Sequence, residues 1–198
     1  FVVRSLWTSA QTDQLRQRLD EKIPAFITMP STTGQNMLPE VLGRELQAEL
    51  GGFLLIGDGI ARAVHSMAMQ DVPAEQRPFV AREYVLIDPD KTKQHVAGKA
   101  VVLVEDVFSS GASAKAFCDT LSECTIQVTT VAGLLGDSRL SAEPQVVQKL
   151  SKTLKREGFI FKARDIAAVL SRGQVNTLID VINTSGKDGH EAIASGIQ

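Results

Sequence analysis

This chain has little of what usually decides a function class at a glance. Its 198 residues include two cysteines, Cys118 and Cys124, six positions apart on one predicted helix. That separation puts them on different faces and matches neither Cys-x-x-Cys nor a zinc-ligand spacing. Two unpaired thiols fit a reducing compartment, so a cytoplasmic location is expected. There is one Trp and one Tyr, and the formal net charge is only −2. Nothing in that balance signals nucleic acid, which is not an expected partner. No apolar run approaches the ~18 residues of a membrane-spanning helix, so no membrane partner is expected either. Phe1-Val2-Val3-Arg4 has neither a Met nor the apolar core of a signal peptide, and a trimmed start is expected. Internal repeats and low-complexity segments are also lacking.

What the chain does have is apolar content of 43%, enough for a core. Its length suits one domain with a small appendage. The periodicity predicts a helix over 9–23, with Leu15, Leu19 and Ile23 spaced by four and Pro24 ending it. Ala25 to Met29 is a short strand candidate, and Pro30 to Asn36 is a polar loop. Pro39 suits the first turn of a helix carrying Val41, Leu42, Leu46 and Leu50 inward, closed by Gly51-Gly52. Phe53 to Ile56 reads as a strand, and Gly57-Asp58-Gly59 as a turn into a helix with Ile60, Val64 and Ala68. Tyr84 to Ile87 reads as a third strand, and the polar Lys91 to His95 stretch as a mobile loop. A strand over 101–104, its helix, and a strand over 126–135 follow. This alternation predicts an α/β fold, a mostly parallel twisted sheet flanked by helices.

Residues 141–198 differ and are expected to form a helical extension and loose tail packed on the 1–140 core. Pro144 opens a helix that Gly158 ends, and two helical stretches follow around 166–170 and 175–182. Seven basic and two acidic residues lie between Lys149 and Arg172. A solvated helix face explains such a run. A local anionic contact is the functional alternative.

The organising stretch is Val101-Val102-Leu103-Val104-Glu105-Asp106-Val107-Phe108-Ser109-Ser110-Gly111-Ala112-Ser113. Four apolar residues in a row suit a parallel strand covered on both faces. Ser109, Ser110, Gly111, Ala112 and Ser113 are all small, so a ligand can approach the backbone. A helix follows, and its unpaired first amides suit a phosphate. Glu105 and Asp106 repel that phosphate and suit a neighbouring hydroxyl-rich group or a metal. A sugar phosphate satisfies both demands.

These thirteen residues resemble the binding motif for phosphoribosyl pyrophosphate (PRPP) in the type I phosphoribosyltransferases. Phe108 stands where an aliphatic residue is usual, and Ser109-Ser110 replaces the commoner Thr-Thr. The resemblance implies the type I phosphoribosyltransferase fold. It also implies Mg²⁺-dependent transfer of a 5-phosphoribosyl group from PRPP to a nitrogenous base, with pyrophosphate released. Glu105 and Asp106 would serve the ribose, and Ser109 to Ser113 the 5-phosphate. No protein side chain is assigned as a direct metal ligand, and a homo-oligomer is expected.

Two registers compete for the pyrophosphate loop. In one, Ser31, Thr32, Thr33 and Gly34 form it. That order is similar to the competence-associated ComF branch, with Gln70, Glu75 and Arg77 following. In the other, Gly57, Asp58 and Gly59 form it with Arg82. The loop bearing Lys91, Lys93 and His95 then resembles the mobile loop of the orotate phosphoribosyltransferase branch. Neither candidate loop carries the basic residues usual there. A non-enzymatic PRPP- or nucleotide-binding regulator, or a structural subunit on the same fold, is therefore the competing reading. Trp7 reads as a core or interface anchor, and Asp58 alternatively as a helix cap.

Overall fold

The computed structural model describes residues 6–31, 36–64, 80, 82–108, 110–136, 141–159 and 162–184. The chain divides into two compact units. The first takes Phe1–His65, Glu83–Phe108 and Ala116–Ser138, and the second Ser66–Arg82, Ser109–Lys115 and Arg139–Gln198. No helix among the described residues is long and apolar enough to cross a membrane.

The first unit is built on a parallel four-stranded sheet flanked by helices, which bears out the α/β expectation. Helix α1 (Ser9–Leu19) starts with a capping box, in which Thr8 Oγ1 accepts from Gln11 N while Gln11 Oε1 accepts from Thr8 N. Its end corrects the reading to residue 23. Asp20 and Glu21 adopt left-handed backbone at φ 49° and 61°, and the helix stops at Leu19. Ile23 is left 58% exposed. Strand β1 (Pro24–Thr28) is buried along its whole length. Helix α2 (Leu38–Leu50) buries Leu42 and Leu46 as expected, while Val41 is exposed. Gly51 and Gly52 end it, both at positive φ. A Cβ on Gly52 would stand 2.2 Å from the Pro24 carbonyl oxygen, so this turn admits only glycine. Strand β2 (Phe53–Leu55) follows.

Three elements then depart from expectation. The helix expected after Gly57 is one turn, α3 (Gly57–Ile60), and the chain continues as strand β3 (Ala61–Ala63). Strand β4 (Tyr84–Leu86) pairs antiparallel with β3 in a separate two-stranded sheet instead of joining the parallel one. Lys91 to His95, read as a mobile loop, lies in helix α4 (Pro89–Val96). Asp88 caps this helix through Lys91 N, Pro89 begins it, and Thr92 and Val96 are buried beneath it.

Strand β5 (Ala100–Phe108) carries the motif and buries its first five residues. Helix α5 (Ala112–Glu123) and strand β6 (Val128–Gly136) complete the run. The sheet order is β2-β1-β5-β6, every pairing parallel. Strand order therefore reverses at β1, which has β2 on one side and β5 on the other. Leu15, Leu19, Phe26, Leu42, Leu46 and Val102 belong to one buried cluster, and Trp7 packs against it. Trp7 donates to Thr12 Oγ1 at 2.9 Å, which agrees with a core anchor.

The second unit contains helices α6 (Pro144–Arg156), α7 (Ala163–Val169) and α8 (Arg172–Thr184). Leu150, Leu154, Ile166, Val175, Leu178 and Ile179 form its own core. Burial of each large side chain contributes about 1.5–3 kcal/mol to packing these helices against one another. Gly158 follows α6 at φ 79°, as its position suggested.

Candidate functional site

In an open parallel sheet, ligands bind beyond the strand carboxyl ends, where the strand order reverses. Here that place is the gap between the ends of β1 and β5. The last rung between them is Thr28 beside Val104, closed by Met29 N donating to Val104 O at 2.8 Å. Beyond it β5 runs on without β1, paired only with β6 through Glu105–Gly133, Val107–Leu135 and Phe108–Gly136. Both motif acids thus stand past the end of their neighbour. The strand was expected to end before Glu105, but it continues to Phe108.

The loops leaving β1 and β2 meet at the same end. Gly57 N donates to the buried Thr28 Oγ1 at 2.8 Å, and Ser31 N donates to Asp58 Oδ1 at 2.6 Å. A Cβ on Gly57 would lie 2.2 Å from Thr28 O and 2.6 Å from Met29 C, so backbone crosses backbone there. Asn36 reaches the third strand. Its Nδ2 donates to Asp106 Oδ2 at 3.1 Å, and its backbone N to Ser31 Oγ at 3.4 Å. Asp58, Ser31, Asn36 and Asp106 form one hydrogen-bonded chain across three strand ends. The two competing pyrophosphate loops are therefore tied to each other. Asn36 was read only as the end of the polar loop and Thr28 only as part of a strand, neither with a role of its own. An Asn two residues before a helix was the only local signal.

The acid pair shares a hydrogen bond between its side chains. Adjacent residues of a regular strand point to opposite faces. The β5–β6 register pairs Glu105 and Val107 and passes over Asp106, and the two carboxyl groups meet. A proton makes this possible. Glu105 is pushed up to about 9, first by burial and then by the hydrogen bond and charge of Asp106. Asp106 is held below its ordinary value. Burial works against this, but hydrogen bonds from Glu105, the Asn36 side chain and Val107 N outweigh it. At neutral pH the pair holds one proton and one negative charge.

Phe108, the unusual residue of the motif, is 3% exposed. A Cβ on Gly133 would lie 2.3 Å from its ring. Gly133 is the strand partner of Glu105, so an aromatic at 108 is accommodated by a glycine across the pair.

The small-residue loop belongs with the second unit. Gly111 has φ 74°, which glycine adopts freely. Ser110 Oγ, expected to face a phosphate, accepts from Ala112 N at 3.3 Å and so caps α5. Ser171 Oγ donates to the Ser110 carbonyl, and a Cβ on Gly173 would stand 2.4 Å from that oxygen. Ser171 and Gln174 cap the start of α8, with Ser171 N donating to Gln174 Oε1 and Gln174 N to Ser171 Oγ. Nothing in the local sequence pattern joined 171–173 to this loop.

Thr32, Thr33, Gly34, Gln70, Glu75, Arg77 and Ser109 lie outside the described residues. Lys91, Lys93 and His95 sit on α4, where His95 Nδ1 donates to Lys91 O at 2.7 Å, a contact within that helix. Among the described residues no three His, Cys, Asp or Glu side chains group as a metal site. Comparison with family models, with curated proteins and with solved structures gave no match.

Proposed function

We propose that this chain binds PRPP and transfers its phosphoribosyl group to a nitrogenous base. The observation that carries this reading is the Glu105–Asp106 pair at the switch point, past the end of β1 and bonded to the β1 loop through Asn36. Asp106, ionised, would accept from a ribose hydroxyl. Glu105, neutral, would donate or hold Asp106 in place. The chemistry asks mostly for placement and for negative charge beside an anomeric carbon that becomes positive in the transition state. The oxygen donors present suit a hard cation, with Asp106 as the nearest anchor and the substrate supplying most ligands. Mg²⁺ so bound would offset pyrophosphate charge.

A second reading has its own support. Ser31 N, a backbone donor of the first pyrophosphate loop, is already held by Asp58, and neither loop has basic residues. That favours a regulator that binds PRPP without turning it over. Pyrophosphate release from PRPP, measured with Mg²⁺ and a panel of bases, separates the two. Under the transferase reading Asp106→Asn should lower turnover by about 10²–10³, as removal of a transition-state charge partner does. Binding by calorimetry without any turnover would establish the regulator instead. No PRPP binding would refute both.

A further inference from the structure

The second unit contains a pocket of ≈ 800 Å³ that the site above does not use. One wall is a single stripe of α6, with Pro144, Val147, Gln148, Ser151 and Lys155 at helical spacing. Phe159, Lys162, Ala163, Arg164 and Asp165 form the facing wall. The core of this unit lies under a different stripe of α6, through Leu150, Thr153 and Leu154. Val147 and Phe159 pack partly against that core and Ala163 belongs to it, so the apolar part of the pocket is a wall held in place by the helices, while Gln148, Ser151 and Lys155 are left to the pocket. The pocket's middle is small and neutral at Ser151 and Ala163, which is what leaves the space.

Charge distinguishes this pocket from an ordinary gap between helices. Lys155, Lys162 and Arg164 face it with a single acid, Asp165. Nearby carboxylates are engaged elsewhere, Glu143 by Arg172 at 2.8 Å and Glu157 by Arg156. Arg156 also donates to Asn183 Oδ1. Among the described residues, Lys155, Lys162 and Arg164 form no ion pair. The lining thus carries an excess of positive charge, which an anion bound there would offset. Beside them lie the apolar surfaces of Val147, Phe159 and Ala163, and the neutral hydrogen-bonding groups of Gln148 and Ser151.

We infer that this pocket is a binding site for a nucleotide. The ammonium and guanidinium groups would take the phosphate, with Arg164 able to do so through two N–H groups. The base would lie against Phe159 and Val147, an aromatic and an aliphatic surface. Gln148, Ser151 and Asp165 would bond its polar edge or the ribose hydroxyls. The pocket's size is that of small-molecule sites. This inference does not rest on the transferase reading.

The test is calorimetry on the full chain with AMP and GMP as probes and inorganic phosphate as control. It is run on the wild type and on Glu105→Gln/Asp106→Asn, which removes the carboxylates of the other site. Nucleotide binding should persist in that double variant and weaken with added salt. Lys155→Ala/Lys162→Ala/Arg164→Ala should weaken it about tenfold or more, since bonds to charged groups are lost. Phe159→Leu should weaken nucleotide binding and leave phosphate binding unchanged. The three cations are exposed, so the triple variant should fold, which circular dichroism checks. Arg164→Gln alone gives the same readout if it does not. Affinity unchanged by Arg164→Gln and by the triple variant would overturn the proposal. So would loss of binding in the carboxylate variant alone, phosphate binding as tightly as AMP, or a preference for a single-stranded oligonucleotide over both mononucleotides.

Discussion

The two units treat charge in opposite ways. In the first, Asp58, Asp106 and Glu105 are gathered at the strand ends and bonded within the chain. Asp58 takes Ser31 N, Asp106 takes the Asn36 amide, and Glu105 keeps a proton. In the second, Lys155, Lys162 and Arg164 stand around a pocket with one acid among them. A ligand entering the first site must replace bonds already made. A ligand entering the second supplies a missing counter-charge. An internally satisfied polar network tends to be rigid and selective, whereas an unbalanced cluster is receptive to any anion of fitting shape. The comparison therefore predicts that small backbone changes disrupt the first unit most, and that neutralising charge disrupts the second least.

The largest effect should come from Gly57→Ala. The added methyl would meet Thr28 O and Met29 C, which are backbone atoms and cannot rotate away. The Gly57 N bond to Thr28 Oγ1 would go with it. We expect a loss of about 3–5 kcal/mol, at the upper end for one substitution, measured by urea unfolding. A loss below about 1 kcal/mol would mean that the β1 and β2 loops are not clamped, and the contrast between the units would fail.

Gly133→Ala should cost less. Its methyl would meet the Phe108 ring, a side chain with some freedom to move. Overpacking of this kind costs typically 1–3 kcal/mol. Adding Phe108→Leu should recover part of the loss, because the collision is between those two positions. If the two changes add instead, Phe108 and Gly133 are not a compensating pair.

How much of this could be read beforehand depended on range. The parallel strands, the motif strand and the extension helices announced themselves by local period, as in Val101 to Val104 or Leu150 with Leu154. Gly51-Gly52 and Gly158 marked helix ends for the same local reason. Helix α4 was missed although Asp88-Pro89 is a helix-start signature, because the polarity of Lys91 to His95 outweighed it. The early end of α1 was hidden because Asp20 and Glu21, neither of them glycine, take left-handed backbone there. Tyr84 to Ile87 was read as a strand, but the antiparallel partner β3 lay in a stretch read as helix. At the site, the acids and small-residue loop stood out as residue types in one run. The Asn36–Asp106 bond, the Thr28–Gly57 clamp and the seat of Gly173 on Ser110 join distant segments. No spacing rule reaches across such separations.

The pH dependence of stability sharpens the comparison most, because it tests the proton on Glu105. The folded chain raises this carboxyl from 4.5 to about 9, so it keeps a proton that the unfolded chain releases. The stability this contributes is fully present below about 4.5 and is lost as pH rises towards 9. Asp106 behaves in the opposite sense. Its carboxyl is lowered, so its contribution is present above its ordinary value of 3.8 and is lost as pH falls through the folded value. Glu105→Gln removes only the first titration. The Gln amide can still donate to Asp106, so near pH 5 the variant should match the wild type. Above that the wild type declines and the variant does not. By pH 9 the variant should be clearly the more stable, with the difference growing steadily across the window. Urea unfolding at a series of pH values measures it directly. A difference that stays flat from pH 5 to 9, or a wild type that gains on the variant as pH rises, would mean that Glu105 is ionised in the folded chain. The first unit would then carry two adjacent unbalanced charges, and the opposition between the units would disappear.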